Sequence, residues 1–418
     1  MVRSRFILAL ALAIPITASA DPGSFYLHNG DRVVFYGDSI TEQHLYTNDI
    51  ETYVATRFPK LNVLFWNSGV GGDRVSGGWA GAIDLRIKRD ILPFRPNIMT
   101  CMLGMNDAGY RPFDQSLFNS YTTGYQHLLT TVKNDLPNIQ YTLIQPSPYD
   151  DVNYPLNFPG GYNAVLIKYA DEVKVLAKQY NALCSNFNGP MVAMLEKAKS
   201  IDPTLASQII PGRIHPSPAG HLIMAEQLLE TWNAPALVAS VRINADTGTI
   251  HTENSTVSNY KDTAGVISWT ETDGSLPYPL DLKDKVTQLV LKSSDFVEKL
   301  DQEPLTVSGL TATSYTLSID GKSVGTFTSM DLASGVNLAT IETPMLDQAE
   351  TVQGLTDTHN NVRTIAWRNL QIPLQNDTTV AGPLNNSLKS LNKLDESLQA
   401  ERSQKATPVQ HTFTLTPA

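Results

Sequence analysis

A doubly wound, five-stranded parallel α/β sheet in flavodoxin-like order, followed by a β-rich accessory region with helical segments, is the fold class that these 418 residues predict. Two features lead there. Between Asp31 and Trp232 five short apolar runs alternate with longer amphipathic ones, the pattern of buried strands separated by crossover helices. After Asn233-Ala234-Pro235 the texture changes to short strand-like runs and tight turns. The division expected from this is an α/β unit over 21–235 and an accessory region over 236–418. A hydrophobic content of 42% against 17% charged residues is enough to give both a core.

In chain order the strands are expected at 33–36, 63–67, 98–103, 139–145 and 183–187, and the helices near 44–58, 79–92, 116–136, 162–180 and 218–232. Beyond Pro235, strands are expected at 238–245, 266–272, 305–310 and 315–319. Asp320-Gly321 forms the turn of a hairpin between 315–319 and 323–327, because an Asp-Gly pair accepts the left-handed backbone of a two-residue loop. Asp331 is the expected cap of a following helical region that runs through Met345, Ala349, Val352 and Leu355 toward Trp367. Leu384, Leu388, Leu391, Leu394 and Leu398 recur at spacings of three and four, one apolar stripe that should dock on its own domain. The alternation over 409–415 reads as a closing strand.

Arg3 and Arg5, an apolar run over 6–16 and Ala18-Ser19-Ala20 have the layout of a secretory signal cleaved after Ala20. The run is shorter than the roughly 20 residues of a membrane span. A secreted or periplasmic protein is expected. The formal net charge is −10, more acidic by two charges once Arg3 and Arg5 leave. Such a surface repels phosphate backbones and anionic membranes, so nucleic acid and membrane are excluded as partners and a small-molecule or glycan substrate is favoured. Cys101 and Cys184 are the only cysteines. They fall on strands separated by a third, about 10 Å apart and beyond disulfide reach, so both are expected to be buried free thiols.

Four segments carry chemistry, each at the end of an expected strand. In Gly37-Asp38-Ser39 an apolar strand runs into a tight turn that holds a serine hydroxyl at the sheet rim, beside backbone N–H groups. Asn67-Ser68-Gly69-Val70-Gly71-Gly72-Asp73-Arg74 presents bare backbone N–H groups and lacks the Gly-Lys-Ser/Thr ending of a phosphate loop. In Gly104-Met105-Asn106-Asp107 the Asn106 amide can donate to a developing negative charge. In Arg213-Ile214-His215-Pro216 an imidazole precedes a helix and can reach the serine as general base. His221, at the start of that helix, reads as structural. Asp38 and Asp73 read as braces of their turns. Scattered histidines without metal-ligand spacing give no expectation of a metal, and no cofactor is expected.

These four blocks, in this order, resemble the SGNH or GDSL hydrolases over roughly residues 30–235. The resemblance implies the SGNH hydrolase fold and a serine esterase. It makes Ser39 the nucleophile and His215 the base, with an oxyanion hole formed by the Ser39 N–H, the Gly72 N–H and the Asn106 side chain. One position departs from the family pattern: the Asp usually found three residues before the histidine is Gly212. A backbone carbonyl near Gly212, a carboxylate from elsewhere such as Asp202, or weakened catalysis are the open accounts, with a Ser-His dyad favoured. The substrate expected is an acetyl or other short acyl ester of a carbohydrate or small polar molecule. The alternatives are a longer-chain lipase or thioesterase, and a carbohydrate-binding protein whose Trp269, Tyr278 and Trp367 stack on sugars.

Overall fold

The computed structural model describes residues 24–418; the expected export signal at 1–20 lies outside them. Strands β1 (Arg32–Gly37), β2 (Leu64–Asn67), β3 (Ile98–Met102), β4 (Gln140–Ile144) and β5 (Leu183–Ser185) form one sheet in the order β2-β1-β3-β4-β5, every pair parallel. This is the expected doubly wound topology. Val33, Val34, Phe35 and Tyr36 are buried whichever face they point to, because helices cover both sides. Each such side chain contributes about 1.5–3 kcal/mol of transfer free energy.

The helices are α1 (Leu45–Arg57), α2 (Ile83–Asp90), α3 (Gln115–Asp135), α4 (Tyr162–Gln179), α5 (Asn188–Ile201) and α6 (Pro218–Thr231). Local chemistry sets their starts. Asp114 accepts the Ser116 and Leu117 N–H groups at the head of α3, and Pro218 occupies the first turn of α6. Helix α2 begins later than periodicity indicates because 77–82 folds into a small hairpin pairing Gly77–Gly78 with Gly81–Ala82. Gly77 has φ +85 there, and a Cβ on it would lie 2.3 Å from the Gly81 carbonyl oxygen. Helix α5 was not expected; its apolar residues Met191, Met194, Leu195 and Ala198 face the core at helical spacing, but they follow the last strand without a turn signal.

Cys101 on β3 and Cys184 on β5 are separated by β4 and both are free, as reasoned. Cys184 is half-buried, a correction to its expected burial, because β5 is an edge strand.

The accessory region holds β6 (Ser240–Asn244), β7 (Thr249–Glu253), β8 (Ser255–Thr263), β9 (Val266–Asp273), α7 (Lys285–Ser293), α8 (Phe296–Leu300), β10 (Pro304–Ser308), β11 (Ser314–Ile319), β12 (Lys322–Thr328), α9 (Ser329–Ser334), α10 (Pro344–Thr364), α11 (Ala381–Lys405) and β13 (His411–Pro417). One sheet runs β8-β9-β13-β11-β12; another joins β6, β7 and β10. Asp320 and Gly321 adopt φ +50 and +80 in the hairpin turn, as their types foretold. Strands β7 and β8 lacked a sequence signal, being polar and largely exposed. Asp331 is not the cap of α9: Thr328 is, with Asp331 returning a carboxylate contact to the Thr328 N–H in a capping box. The core does not divide at Pro235, for Tyr278, Leu289, Val290, Phe296 and Leu300 pack with the core of the α/β unit. Helix α10 continues into a π-helical stretch, Ile365–Gln371, whose Trp367 joins Val70 and Ala80 around Ile372. The leucine stripe of α11 is only partly covered, with Leu394 48% exposed. That helix docks instead through buried Asp395 and Arg402.

Beneath the glycine-rich loop lies a charged lattice. Fully buried Arg86 donates to Asp73 Oδ2 at 2.9 Å, to the Ser68 carbonyl at 2.8 Å and to Asp90, while the Trp367 indole donates to Asp90 Oδ1 at 2.7 Å. Arg86→Met leaves buried Asp73 without the guanidinium that pairs it and takes one of two cations from Asp90, which keeps Arg89. It should cost about 3–5 kcal/mol, read as a lowered urea midpoint of the α/β unit.

Candidate active site

The loops after β1, β2 and β3 leave the same edge of the sheet, at the point where the strand order reverses, which makes a crevice there. Ser39 follows β1 at the start of a single helical turn, Ser39–Glu42. Gly37 is required before it, since a Cβ would come within 2.2 Å of Thr41 Oγ1 and 2.9 Å of the Met102 carbonyl oxygen. Buried Asp38 accepts the Ile40 N–H at 3.0 Å; burial pushes its carboxyl up to about 7. It braces the turn.

His215 meets the serine from the other side: its Nε2 lies 2.8 Å from Ser39 Oγ. The loop that carries it bends through consecutive left-handed residues, Gly212 at φ +69 and Arg213 at φ +78. Arg213 pays for that conformation with several contacts. Its guanidinium lies over the rings of Tyr149 and Tyr154, 3.7 Å from Asp151, and its carbonyl accepts the Asp150 N–H at 2.9 Å. Gln43 reaches the Pro216 carbonyl at 3.5 Å and the His221 ring at 3.2 Å. His221 Nδ1 accepts the Tyr46 N–H at 3.2 Å, and burial pushes its pKa down to about 3, so it is a neutral structural residue.

Asp202 does not orient His215. Its Oδ1 accepts the Thr204 and Leu205 N–H groups at 2.9 and 3.0 Å, capping the turn Pro203–Ala206. Among the described residues no carboxylate bonds the His215 ring. Partial burial lowers the His215 pKa from its ordinary value, and the negative charge of Glu42 offsets part of that shift.

On the opposite side, Gly72 has φ +77, and the space where its Cβ would sit is open. Asn106 Nδ2 donates to the Asp73 carbonyl at 3.0 Å, which leaves a second amide hydrogen unused by that bond. Asn106 Oδ1 accepts from the Tyr110 hydroxyl at 3.0 Å, and the Asp73 carbonyl, which can only accept, fixes which end of the amide is which. Tyr110 itself sits in the left-handed region at φ +55 and stacks on Tyr162 with ring centres 5.0 Å apart. Asp107 anchors the block by accepting the Val75 N–H at 2.9 Å. A cavity of about 300 Å³ adjoins Asn106, bordered by Arg74, Ser76 and Arg111 and by the apolar side chains of Val75 and Leu117.

Sequence reasoning missed Tyr110, Trp79, Glu42 and Arg368. Tyr110 and Trp79 are exposed aromatics close to two of the four blocks, a signal that was available. Arg368 lies 326 residues from Glu42, which it contacts, and had no local signature. Of the aromatics named as sugar platforms, Trp269 and Tyr278 are fully buried core residues, and Trp367 is half-buried beneath the glycine loop.

The sequence pattern of the GDSL-like lipase/acylhydrolase family matches residues 35–223. With that match and this fold, residues 35–223 form a domain of the SGNH/GDSL hydrolases, and the protein is an ester-hydrolysing enzyme. It is 24% identical over 219 residues to an acetylxylan esterase of Geobacillus stearothermophilus, covering 48% of this chain and 93% of that one. A solved structure described as a gut microbial diltiazem-metabolizing enzyme superposes with a TM-score of 0.82 at 25% identity, over 95% of this chain and 99% of that chain. The likeness to that structure therefore extends through the accessory region.

The lowered pKa of His215 has a direct readout. Its imidazole should titrate in NMR below the ordinary value of about 6.5, and Glu42→Gln should move the titration lower still by removing the charge that opposes the shift.

Proposed function

We propose that this protein is an exported serine esterase that removes acetyl or other short acyl groups from carbohydrate or small polar esters through a Ser39-His215 centre. The observation that carries the reading is the 2.8 Å contact between His215 Nε2 and Ser39 Oγ at the carboxyl edge of the parallel sheet. The name of the acetylxylan esterase relative supports acetyl esters of a polysaccharide. The sequence of residues 1–20 supports export.

In this mechanism His215 takes the Ser39 proton as Oγ attacks the ester carbonyl. The negative charge on the tetrahedral intermediate is met by the Ser39 N–H, the Gly72 N–H and the free hydrogen of Asn106 Nδ2. His215 then passes its proton to the departing alcohol, and a water activated by the same imidazole releases the acyl group. Without a carboxylate on the ring, the imidazolium formed during attack is stabilised by the Glu42 field. To act as base the ring carries its proton on Nδ1, so that Nε2 accepts from the Ser39 hydroxyl. Burial helps here, because it keeps the ring neutral and ready to accept a proton at lower pH.

Ser39→Ala should reduce hydrolysis of p-nitrophenyl acetate at least about 10³-fold; parental activity in that variant would end the reading. Acetyl esters should be turned over faster than octanoyl esters of the same alcohol, and acetylated xylo-oligosaccharides should release acetate. A preference for octanoyl would assign the site to longer acyl chains. The acid limb of kcat/KM should fall below about 6.5, since a base with a lowered pKa stays unprotonated as the pH drops. A limb above that value would exclude His215 as the base.

A further inference from the structure

The backbone of Gly71 is held on both sides of its Cα, and part of the hold comes from the far end of the chain. The Gly71 N–H donates to Glu42 Oε2 at 2.8 Å, and the Gly71 carbonyl accepts from the Trp79 indole at 2.9 Å. Because a peptide unit is planar and trans, fixing the direction of the Gly71 C=O fixes the opposite direction of the Gly72 N–H. Arg368, on the π-helical stretch Ile365–Gln371, closes the arrangement. Its Nε lies 2.7 Å from Glu42 Oε1, and its guanidinium lies flat over the Trp79 ring, 4.1 Å from the centre. One cation thus touches both groups that hold the backbone of Gly71.

The space is specific to this arrangement. A Cβ on Gly71 would fall 2.7 Å from Glu42 Oε2, so the carboxylate lies directly against the loop backbone. Trp79 is otherwise 57% exposed, and Arg368 is the charged group that the structure sets over its ring. An apolar contact of Trp367 and Ile372 with Val70 and Ala80 seats the same stretch beside the loop. π-Helical turns cost hydrogen-bond geometry and recur at functional positions.

We infer that Arg368, delivered by the accessory region, is a positioning residue that clamps Glu42 and Trp79 onto the two peptide groups flanking the Gly71 Cα and so aims the Gly72 N–H at the oxyanion. The accessory region is on this account part of the esterase machinery. The inference rests on the reading of Gly72 as an oxyanion donor.

Three variants of the full chain test it with p-nitrophenyl acetate. Arg368→Met keeps the apolar stem and should lower kcat about tenfold, a fraction of the ~10²–10³ lost with a whole oxyanion donor, while KM stays within about twofold. Trp79→Phe keeps a ring under Arg368 but loses the indole donor, and should lower kcat in the same way. Glu42→Gln keeps an acceptor for the Gly71 N–H, loses the charge on Arg368, and should also move the acid limb of kcat/KM to lower pH. Combined with Arg368→Met it should be no worse than the poorer single variant, as expected for residues acting as one unit. Should Arg368→Met fail to fold, Trp79→Phe and Glu42→Gln carry the test. Unchanged kcat in folded Arg368→Met or Trp79→Phe, a change confined to KM, or fully additive losses would overturn the clamp. Labelling of Ser39 by a fluorophosphonate separates this from failure of the underlying reading. A wild-type chain that does not label removes both, whereas Arg368→Met that labels and turns over at the wild-type rate removes only the clamp.

Discussion

Everything at the site depends on β1 lying inside the sheet with β2 on one side and β3 on the other. Only that order brings the ends of three strands, distant in sequence, to one stretch of edge: Ser39 after β1, the glycine loop after β2 and Asn106 after β3. His215 comes from 176 residues away to complete it. The hydrophobic interior of β1 and β3, with Phe35, Tyr36, Met99 and Cys101 essentially without exposure, makes the sheet a rigid floor. Polar loops at its edge then keep their geometry although they are irregular.

The loops are held from below by charge and from above by the accessory region. Arg86, Asp73 and Asp90 form a lattice without solvent access, in which each carboxylate answers the same guanidinium and the Ser68 carbonyl takes one of the remaining donors. Breaking such a lattice is costly because the groups left behind cannot be rehydrated. Trp367 reaches Asp90 from the C-terminal helices, and Arg89 reaches both Asp90 and Gln375. The glycine loop is therefore fastened to both parts of the chain.

A second buried cluster joins the two parts further back. Glu51 on α1 faces His359 of α10 at 3.0 Å and also Arg402 of α11, and Asp395 bonds the other ring nitrogen of His359 at 3.1 Å. Burial alone would raise the Glu51 carboxyl, but the charges of His359 and Arg402 hold it well below its ordinary range. For His359 burial works toward neutrality, but the Glu51 charge and the hydrogen bonds to Asp395 and Glu51 together outweigh it, so its pKa is raised. This explains why α11 docks although its leucine stripe is incompletely covered: the orientation comes from Asp395 and Arg402. A polar lock of this kind specifies one placement of the helix where a greasy stripe would permit several.

The five strands and most of the helices, the Asp-Gly hairpin, and the three blocks at strand ends were legible in the sequence, because period, turn chemistry and short motifs are local properties. The His215 block was legible as a motif, but it follows the helical turn Pro203–Ala206 and not the expected strand, because the unexpected helix α5 intervenes. Ser39, Gly72, Asn106 and His215 were nameable for the same reason. What lay beyond reach was set by non-local contact. Asp202 was a plausible partner for His215 by residue type, yet its own helix turn captures it, since two N–H groups two and three residues away are always within range. Arg368 reaches Glu42 through packing that brings together segments with no shared pattern. The sequence by itself determined which chemical groups would stand at the sheet edge. Only the tertiary structure decided which groups aim them, because direction at a site is imposed by neighbours from any part of the chain, and periodicity carries no record of them.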